Sequence, residues 1–228
     1  ATNIVEAALT AGVKKVVALS TDKAVNPVNL YGATKLCSDK VFVAANSYAG
    51  EGGTTFSVVR YGNVVGSRGS VIPLFCRQRE NGKITVTDPD MTRFLITLDQ
   101  GVEFVLRSLD VMVGGELFVP KIPACTVSDI AQVVAPDCDW EVLGLRPGEK
   151  VHEILIPEDE ARNVLEFDDH FVIQPIQSFW GNKIGILGGV SCSPGFRYAS
   201  NCNCETFTSE QLTALLADYL PANRRESE

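Results

Sequence analysis

A chain of 228 residues, 45% of them hydrophobic, holds enough apolar material for one large or two small domains with a true core, which excludes a disordered protein. A formal charge of −8 offers no positive face to a nucleic acid or an anionic membrane, so phosphate must be held by a few local arginines. No apolar run approaches the ~20 residues that span a bilayer and no basic-then-apolar signal opens the chain, so a cytoplasmic protein without a membrane partner is expected.

In chain order, Ile4, Val5, Ala8 and Leu9 form a helical stripe that Gly12 ends. The short, unalternating run Val16-Val17-Ala18-Leu19 then reads as a strand buried on both faces of a parallel sheet. In open α/β sheets ligands gather beyond the carboxyl ends of the strands, and here Ser20-Thr21-Asp22-Lys23 puts hydroxyls, a carboxylate and an amine at that point. Consecutive residues of an extended segment point to opposite sides, so Asp22 and Lys23 serve one ligand only if the chain turns there; Pro27 and the neighbouring asparagines make that turn. A helix over 30–47 follows, in which Tyr31 and Lys35 lie four apart on one face. An ammonium beside the phenol favours phenolate and moves a tyrosine pKa from about 10 toward neutrality, giving a base for a sugar hydroxyl. Tyr-x-x-x-Lys alone is more often a surface helix than a site; the Thr21-Asp22-Lys23 turn eight residues upstream makes it specific.

On these residues the stretch 18–42 resembles the extended short-chain dehydrogenase/reductases and, among them, the inverting UDP-N-acetylglucosamine 4,6-dehydratases of the pseudaminic-acid type. Retaining relatives carry Thr-Asp-Glu where this chain has Lys23, and larger membrane-anchored relatives carry Met where it has Tyr31. The resemblance implies an α/β fold: the carboxyl-terminal portion of a Rossmann-like, doubly wound parallel sheet with a smaller α/β substrate-binding region. Residues 1–119 would belong to the NADP-binding domain, with 63–97 contributing to the substrate site, and 120–228 mainly to the substrate-binding region and tail. The family's glycine-rich pyrophosphate turn has no counterpart ahead of the first strand, so the amino-terminal part of that domain is expected to be missing. The resemblance further implies one bound NADP, with NAD as the other choice, a UDP-sugar substrate and a homo-oligomer. Tyr31 would take the C4 hydroxyl proton, Lys23 the C5 proton, and Asp22 would protonate the departing C6 hydroxyl. Thr21, Tyr31, Lys35 and Val64 would contact the cofactor. The rival expectations are a 4-epimerase, a retaining dehydratase, or an inactive remnant.

Further along, 56–60 reads as the next strand, and 61–70 alternates glycine with polar groups as loops do where backbone approaches a ligand. In the family that loop lines nicotinamide and sugar, which makes Asn63 a substrate contact. A helix over 71–80, an extended 84–87 and a turn at Asp88-Pro89-Asp90 lead to Met91-Thr92-Arg93-Phe94, matched in the family, where the Arg93 fork suits a pyrophosphate. An amphipathic helix over 98–109 and a strand over 116–119 closed by Pro120 read as core, and Thr126-Val127-Ser128-Asp129 as a capping box. In the family the Arg146-Pro147-Gly148-Glu149-Lys150 turn binds the nucleotide, so Arg146 would clamp diphosphate and Glu149 accept from ribose hydroxyls.

Seven scattered cysteines without a Cys-x-x-Cys pair read as reduced thiols; Cys192, Cys202 and Cys204 match no zinc spacing with His152 or His170, so no metal is expected. The glycines of 183–190 are followed by Ser191-Cys192-Ser193-Pro194 where a phosphate-binding helix should start, so they are no dinucleotide fingerprint. Thr208 caps a last helix with Leu212, Leu215, Leu216 and Tyr219 as its stripe, and 223–228 is a charged, loose end.

Overall fold

The computed structural model describes residues 1–50, 53–176 and 188–220; the readings made for 183–187 and 223–228 lie outside them. Helix α1 (Thr2–Ala11) stops where Gly12 turns left-handed at φ 65° and its N–H returns to Ala8 and Leu9 carbonyls, the end that glycine takes without a Cβ clash. Strand β1 (Lys15–Thr21) is followed by α2 (Leu30–Ala49), which the Asn29 side chain caps by accepting from the Gly32 N–H. Next come β2 (Thr55–Tyr61), the two-residue β3 (Asn63–Val64), α3 (Val71–Gln78), β4 (Lys83–Val86) and β5 (Thr92–Ile96). Helix α4 (Leu98–Val111), β6 (Leu117–Pro120), β7 (Ala124–Thr126), α5 (Val127–Val134) and β8 (Asp139–Val142) follow. The chain then forms β9 (Ile154–Ile156), β10 (Val164–Glu166), β11 (His170–Ile173), β12 (Val190–Ser191), β13 (Tyr198–Ala199) and α6 (Ser209–Leu215). Thr126 and Thr208 each close a full capping box, with Asp129 and Gln211 as reciprocal partners.

Two compact units result, and they interleave along the chain. The first gathers Ala1–Tyr61, Asp99–Lys121 and Ile154–Ala199. Its main sheet has the order β1-β2-β6-β11-β10-β12, parallel across β1, β2 and β6 and antiparallel from β11 onward. Alternation along β2 sends Phe56 toward Phe42 of α2 and Val59 toward Phe104 of α4, so helices cover both faces in the doubly wound manner.

The expectation that β1 is buried on both faces does not hold. Among the described residues β1 pairs with β2 alone and is a sheet edge; Leu19 is 48% exposed and only Ser20 of the strand is buried. An unalternating apolar run marks a strand whose two faces are apolar, but what covers them is set by other segments.

The second unit gathers Gly62–Leu98, Ile122–Glu153 and Ser200–Glu228. It contains a three-stranded sheet, β3-β5-β7, and a parallel pair, β4-β8. Ile72 and Phe75 of α3, Ile130 of α5, Leu212 of α6 and the following Leu216 close its core with Ile84 and Val86 of β4. Two glycines are fixed by close approach. A Cβ on Gly62 would stand 2.5 Å from that of Phe94, and one on Gly66 (φ 70°) would strike the Tyr219 hydroxyl.

Candidate functional site

In the first unit, β1 ends at Thr21 and the chain folds into a 3₁₀ turn, Asp22–Ala24. Thr21 Oγ1 caps that turn by accepting from the Lys23 N–H at 3.4 Å and donates to Asp22 Oδ1 at 2.7 Å. Lys23 Nζ reaches the same Asp22 Oδ1 at 3.0 Å. The turn therefore brings two consecutive side chains onto one side, with the carboxylate wholly buried and the amine partly open to solvent. Helix α2 starts directly against this turn: a Cβ on Gly32 would lie 2.2 Å from the Lys23 carbonyl oxygen, so only glycine lets the helix sit so close. That contact fixes Tyr31, 56% exposed, relative to Lys23. Lys35, one turn on, donates to the Leu19 carbonyl at 2.5 Å and ties the helix to β1.

Beneath the exposed groups lies a buried polar cluster that the sequence reading missed. Ser20 Oγ donates to Asp39 Oδ2 at 2.6 Å, and the Arg60 guanidinium lies 3.7 Å from the same oxygen. Arg60, 1% exposed, also donates to the Leu155 carbonyl at 2.8 Å and to Glu160 at 2.9 Å. Burial raises the Asp39 pKa from its ordinary value of 3.8 against the opposing pull of the Ser20 bond and of Arg60, Lys35 and Lys40. Tyr61, missed as well, pairs in register with Thr21; burial, and secondly the nearness of Tyr31, push its phenol upward, so it stays a neutral hydroxyl. The signal available in the sequence was spacing: Asp39 repeats the four-residue step of Tyr31 and Lys35, which places a carboxylate on the same face of α2.

In the second unit, Asn63 and Val64 pair with Leu95 and Ile96. The buried Asn63 Oδ1 has no hydrogen-bond partner among the described residues, the condition of an acceptor that awaits a ligand N–H or O–H. Arg93 is built inward. It donates to the carbonyls of Thr92 (2.7 Å), Val151 (3.0 Å) and Lys150 (3.2 Å) and to Met91 Sδ, and its Nε stands 3.8 Å from Glu153. A phosphate at Arg93 must displace one of these partners; as it stands, the guanidinium braces the segment after the 146–150 turn. Thr92 adds to that brace through His152 Nδ1 at 2.9 Å and Ser200 Oγ at 2.6 Å. The turn itself closes with the Glu149 N–H on the Arg146 carbonyl at 3.1 Å and Gly148 at φ 84°, leaving Arg146 and Glu149 exposed at its two ends.

All seven cysteines are free, and burial pushes the Cys125 thiol up to about 12. No helix among the described residues is long and apolar enough to cross a membrane.

Comparison with known proteins adds the family. The sequence model of the polysaccharide biosynthesis protein family matches residues 1–175. A UDP-N-acetylglucosamine 4,6-dehydratase (inverting) of Campylobacter jejuni serotype O:2 is 49% identical over 89% of this chain and 63% of that protein. A protein of the same description from serotype O:23/36 is 46% identical over 95% of this chain and 67% of that protein. Among solved structures, Pen from Bacillus thuringiensis superposes with a TM-score of 0.83 at 36% identity, covering 96% of this chain and 66% of that one. The chain thus spans about two thirds of the length of the proteins it matches. With the match running from Ala1 through the Thr21-Asp22-Lys23 turn, Tyr31 and the Arg146 loop, the chain belongs to the polysaccharide biosynthesis protein family.

Proposed function

We propose that the full-length protein converts UDP-N-acetylglucosamine to a 4-keto-6-deoxy-N-acetylhexosamine with inversion at C5, by transient oxidation at C4. The observation that carries this is the Asp22–Lys23 pair, held at 3.0 Å in a turn against which the Tyr31 helix starts. Loss of water across C5 and C6 needs a base for the C5 hydrogen and an acid for the C6 hydroxyl, on adjacent carbons. One proton passed from Lys23 Nζ to Asp22 Oδ1 creates both: a neutral amine that takes the C5 proton and a carboxylic acid that protonates the leaving hydroxyl. Tyr31, exposed above them, takes the C4 hydroxyl proton.

The residues present fit a nicotinamide nucleotide. In the first unit a hydroxyl, a phenol and an amine stand at the end of β1 and the start of α2. When bound, that nucleotide supplies the redox equivalent that C4 loses and C6 regains. Thr21, Tyr31, Lys35 and Val64 would hold it, and we assign it as NADP. In the second unit Arg146 and Glu149 would take the diphosphate and ribose, with Asn63 toward the sugar and Arg93 at the pyrophosphate after exchanging a carbonyl partner. A UDP-sugar substrate, a homo-oligomeric assembly and a cytoplasmic place complete the proposal; the relatives' activity supports the first and the free thiols support the last.

The test is turnover of UDP-N-acetylglucosamine in heavy water by the full-length protein, read by mass and NMR. A 4-keto-6-deoxy product carrying deuterium at inverted C5 is expected; an epimerised hexose, retention at C5, or no product overturns the assignment. Arg146→Ala is expected to weaken UDP-sugar binding by about 1.5–3 kcal/mol, the worth of a charge-assisted hydrogen bond, with NADP binding unchanged. Equal losses for both ligands in calorimetric titrations would remove Arg146 from the sugar-nucleotide site. Gly32→Ala must part α2 from the turn by about an ångström, so turnover should fall about 10²-fold. Wild-type initial rates would mean that Tyr31 and Lys23 do not depend on that contact.

A further inference from the structure

We propose that Asp39 is a positioning residue of this site, a buried carboxylate that locks the face of α2 bearing Tyr31 and Lys35 onto the strand end bearing Thr21. The inference rests on the function proposed above. Tyr31, Lys35 and Asp39 follow one another at four-residue steps on α2. Each of the last two is joined to β1 at a residue next to the catalytic turn: Lys35 to the Leu19 carbonyl at 2.5 Å, Asp39 to Ser20 Oγ at 2.6 Å. Two bonds one helical turn apart fix both the height and the rotation of the helix against the strand, which one bond cannot do.

The surroundings are costly to build for packing alone. Asp39 is 2% and Arg60 1% exposed, and apolar groups of the same volume would fill the space without taking charges from water. The groups facing Asp39 are Ser20 from β1, Arg60 from β2, and Lys35 and Lys40 from its own helix; Glu160, in the 3₁₀ stretch Glu158–Asn163, balances Arg60 from behind. Arg60 is thereby held by Glu160 and the Leu155 carbonyl, and presents a fixed positive charge to which the helix carboxylate is matched. A misplaced general base loses rate far out of proportion to its displacement, so a rigid seat for α2 has a direct use.

The experiment uses the full-length protein and follows dehydration, protein melting and hydrogen exchange of the 31–35 amides in wild type, Asp39→Asn, Ser20→Ala, Ser20→Thr and the Ser20→Ala/Asp39→Asn double variant. Expected are a drop in kcat of about tenfold or more for Asp39→Asn with KM for the UDP-sugar within about twofold, and faster exchange at 31–35. Ser20→Ala should show a smaller drop of the same kind, since the Arg60 charge stays matched, Ser20→Thr should recover it, and the double variant should lose less than the two single losses added together, because both residues meet at one carboxylate oxygen. Unchanged kcat and unchanged exchange in Asp39→Asn and Ser20→Ala overturn the proposal, as does a loss of activity that only tracks the fraction folded. If Asp39→Asn does not fold, the Ser20 pair decides on the same criteria. A wild-type protein that forms no product overturns the function on which the proposal stands, and the exchange measurement then still reports whether Asp39 seats the helix.

Discussion

Lys23→Ala is expected to cut deuterium uptake at C5 by at least about 10²-fold and to stop 4-keto-6-deoxy product, while oxidation at C4 persists as nicotinamide absorbance. The two halves separate because they use different groups. Tyr31 lies on α2 and keeps its seat through Gly32 and Lys35, neither of which needs the Lys23 side chain. The amine contributes elsewhere: it donates to Asp22 Oδ1 at 3.0 Å, so its removal would take away the proposed C5 base and also the proton that Asp22 would pass to the C6 hydroxyl. Both losses fall on elimination. The measurement is NMR of sugar recovered from heavy water, beside the absorbance of reduced cofactor in a single turnover. Exchange at the wild-type rate in Lys23→Ala would move the base to another residue and undo the account of C5 inversion. A parallel loss of C4 oxidation would instead mean that Lys23 holds Tyr31 in place.

Arg60→Ala should destabilise the protein by about 3–5 kcal/mol, because it strands the buried Asp39 carboxylate without its cation. Arg60 stands between Asp39 at 3.7 Å and Glu160 at 2.9 Å, in the interior of the first unit. The pH dependence has a definite sign. Burial already raises the Asp39 pKa from 3.8 with Arg60 in place, so the folded state binds its proton more tightly than the unfolded chain does. Such a group favours folding most below its unfolded pKa, and that contribution is lost as pH rises through the folded value. Removing Arg60 lifts the folded value further and widens the window. The deficit of Arg60→Ala should therefore be largest near neutrality and shrink as pH falls toward about 5. Urea melts at about pH 7.5 and about pH 5 give the two numbers; an equal deficit at both would mean that Asp39 is not the group left uncompensated.

Much of this protein could be read from its sequence, for reasons of range. The Gly12 stop and the Thr126 and Thr208 capping boxes use hydrogen bonds that close within four residues, so the residues that make them lie side by side in the chain. The Tyr31–Lys35 spacing fixes a shared helix face in the same local way. The turn demanded at Asp22-Lys23 forms as a 3₁₀ turn, because Thr21 supplies a cap two residues before the amide it accepts. The α/β class was implied by the resemblance of the stretch 18–42, whose strand, turn and helix follow one another directly in the chain.

What only the tertiary structure decided depends on partners tens of residues away. Nothing within β1 says which strands flank it, since strand pairing is set by which other segments arrive beside it; among the described residues that is β2 alone. Arg93 read as a phosphate fork because its five N–H groups are alike in sequence; folding directs them at carbonyls of Lys150 and Val151, some 57 residues on. Asp39 drew no reading from the sequence, and only the meeting of Ser20 from β1 and Arg60 from β2 at one point makes it a buried charge. The same holds for the return of Ile154–Ala199 to the unit that holds Tyr31: its apolar runs are too short to announce a destination, and burial against β6 gives them one. Local chemistry could be written into neighbouring residues, whereas the electrostatic environment of each charged group was decided by long-range packing.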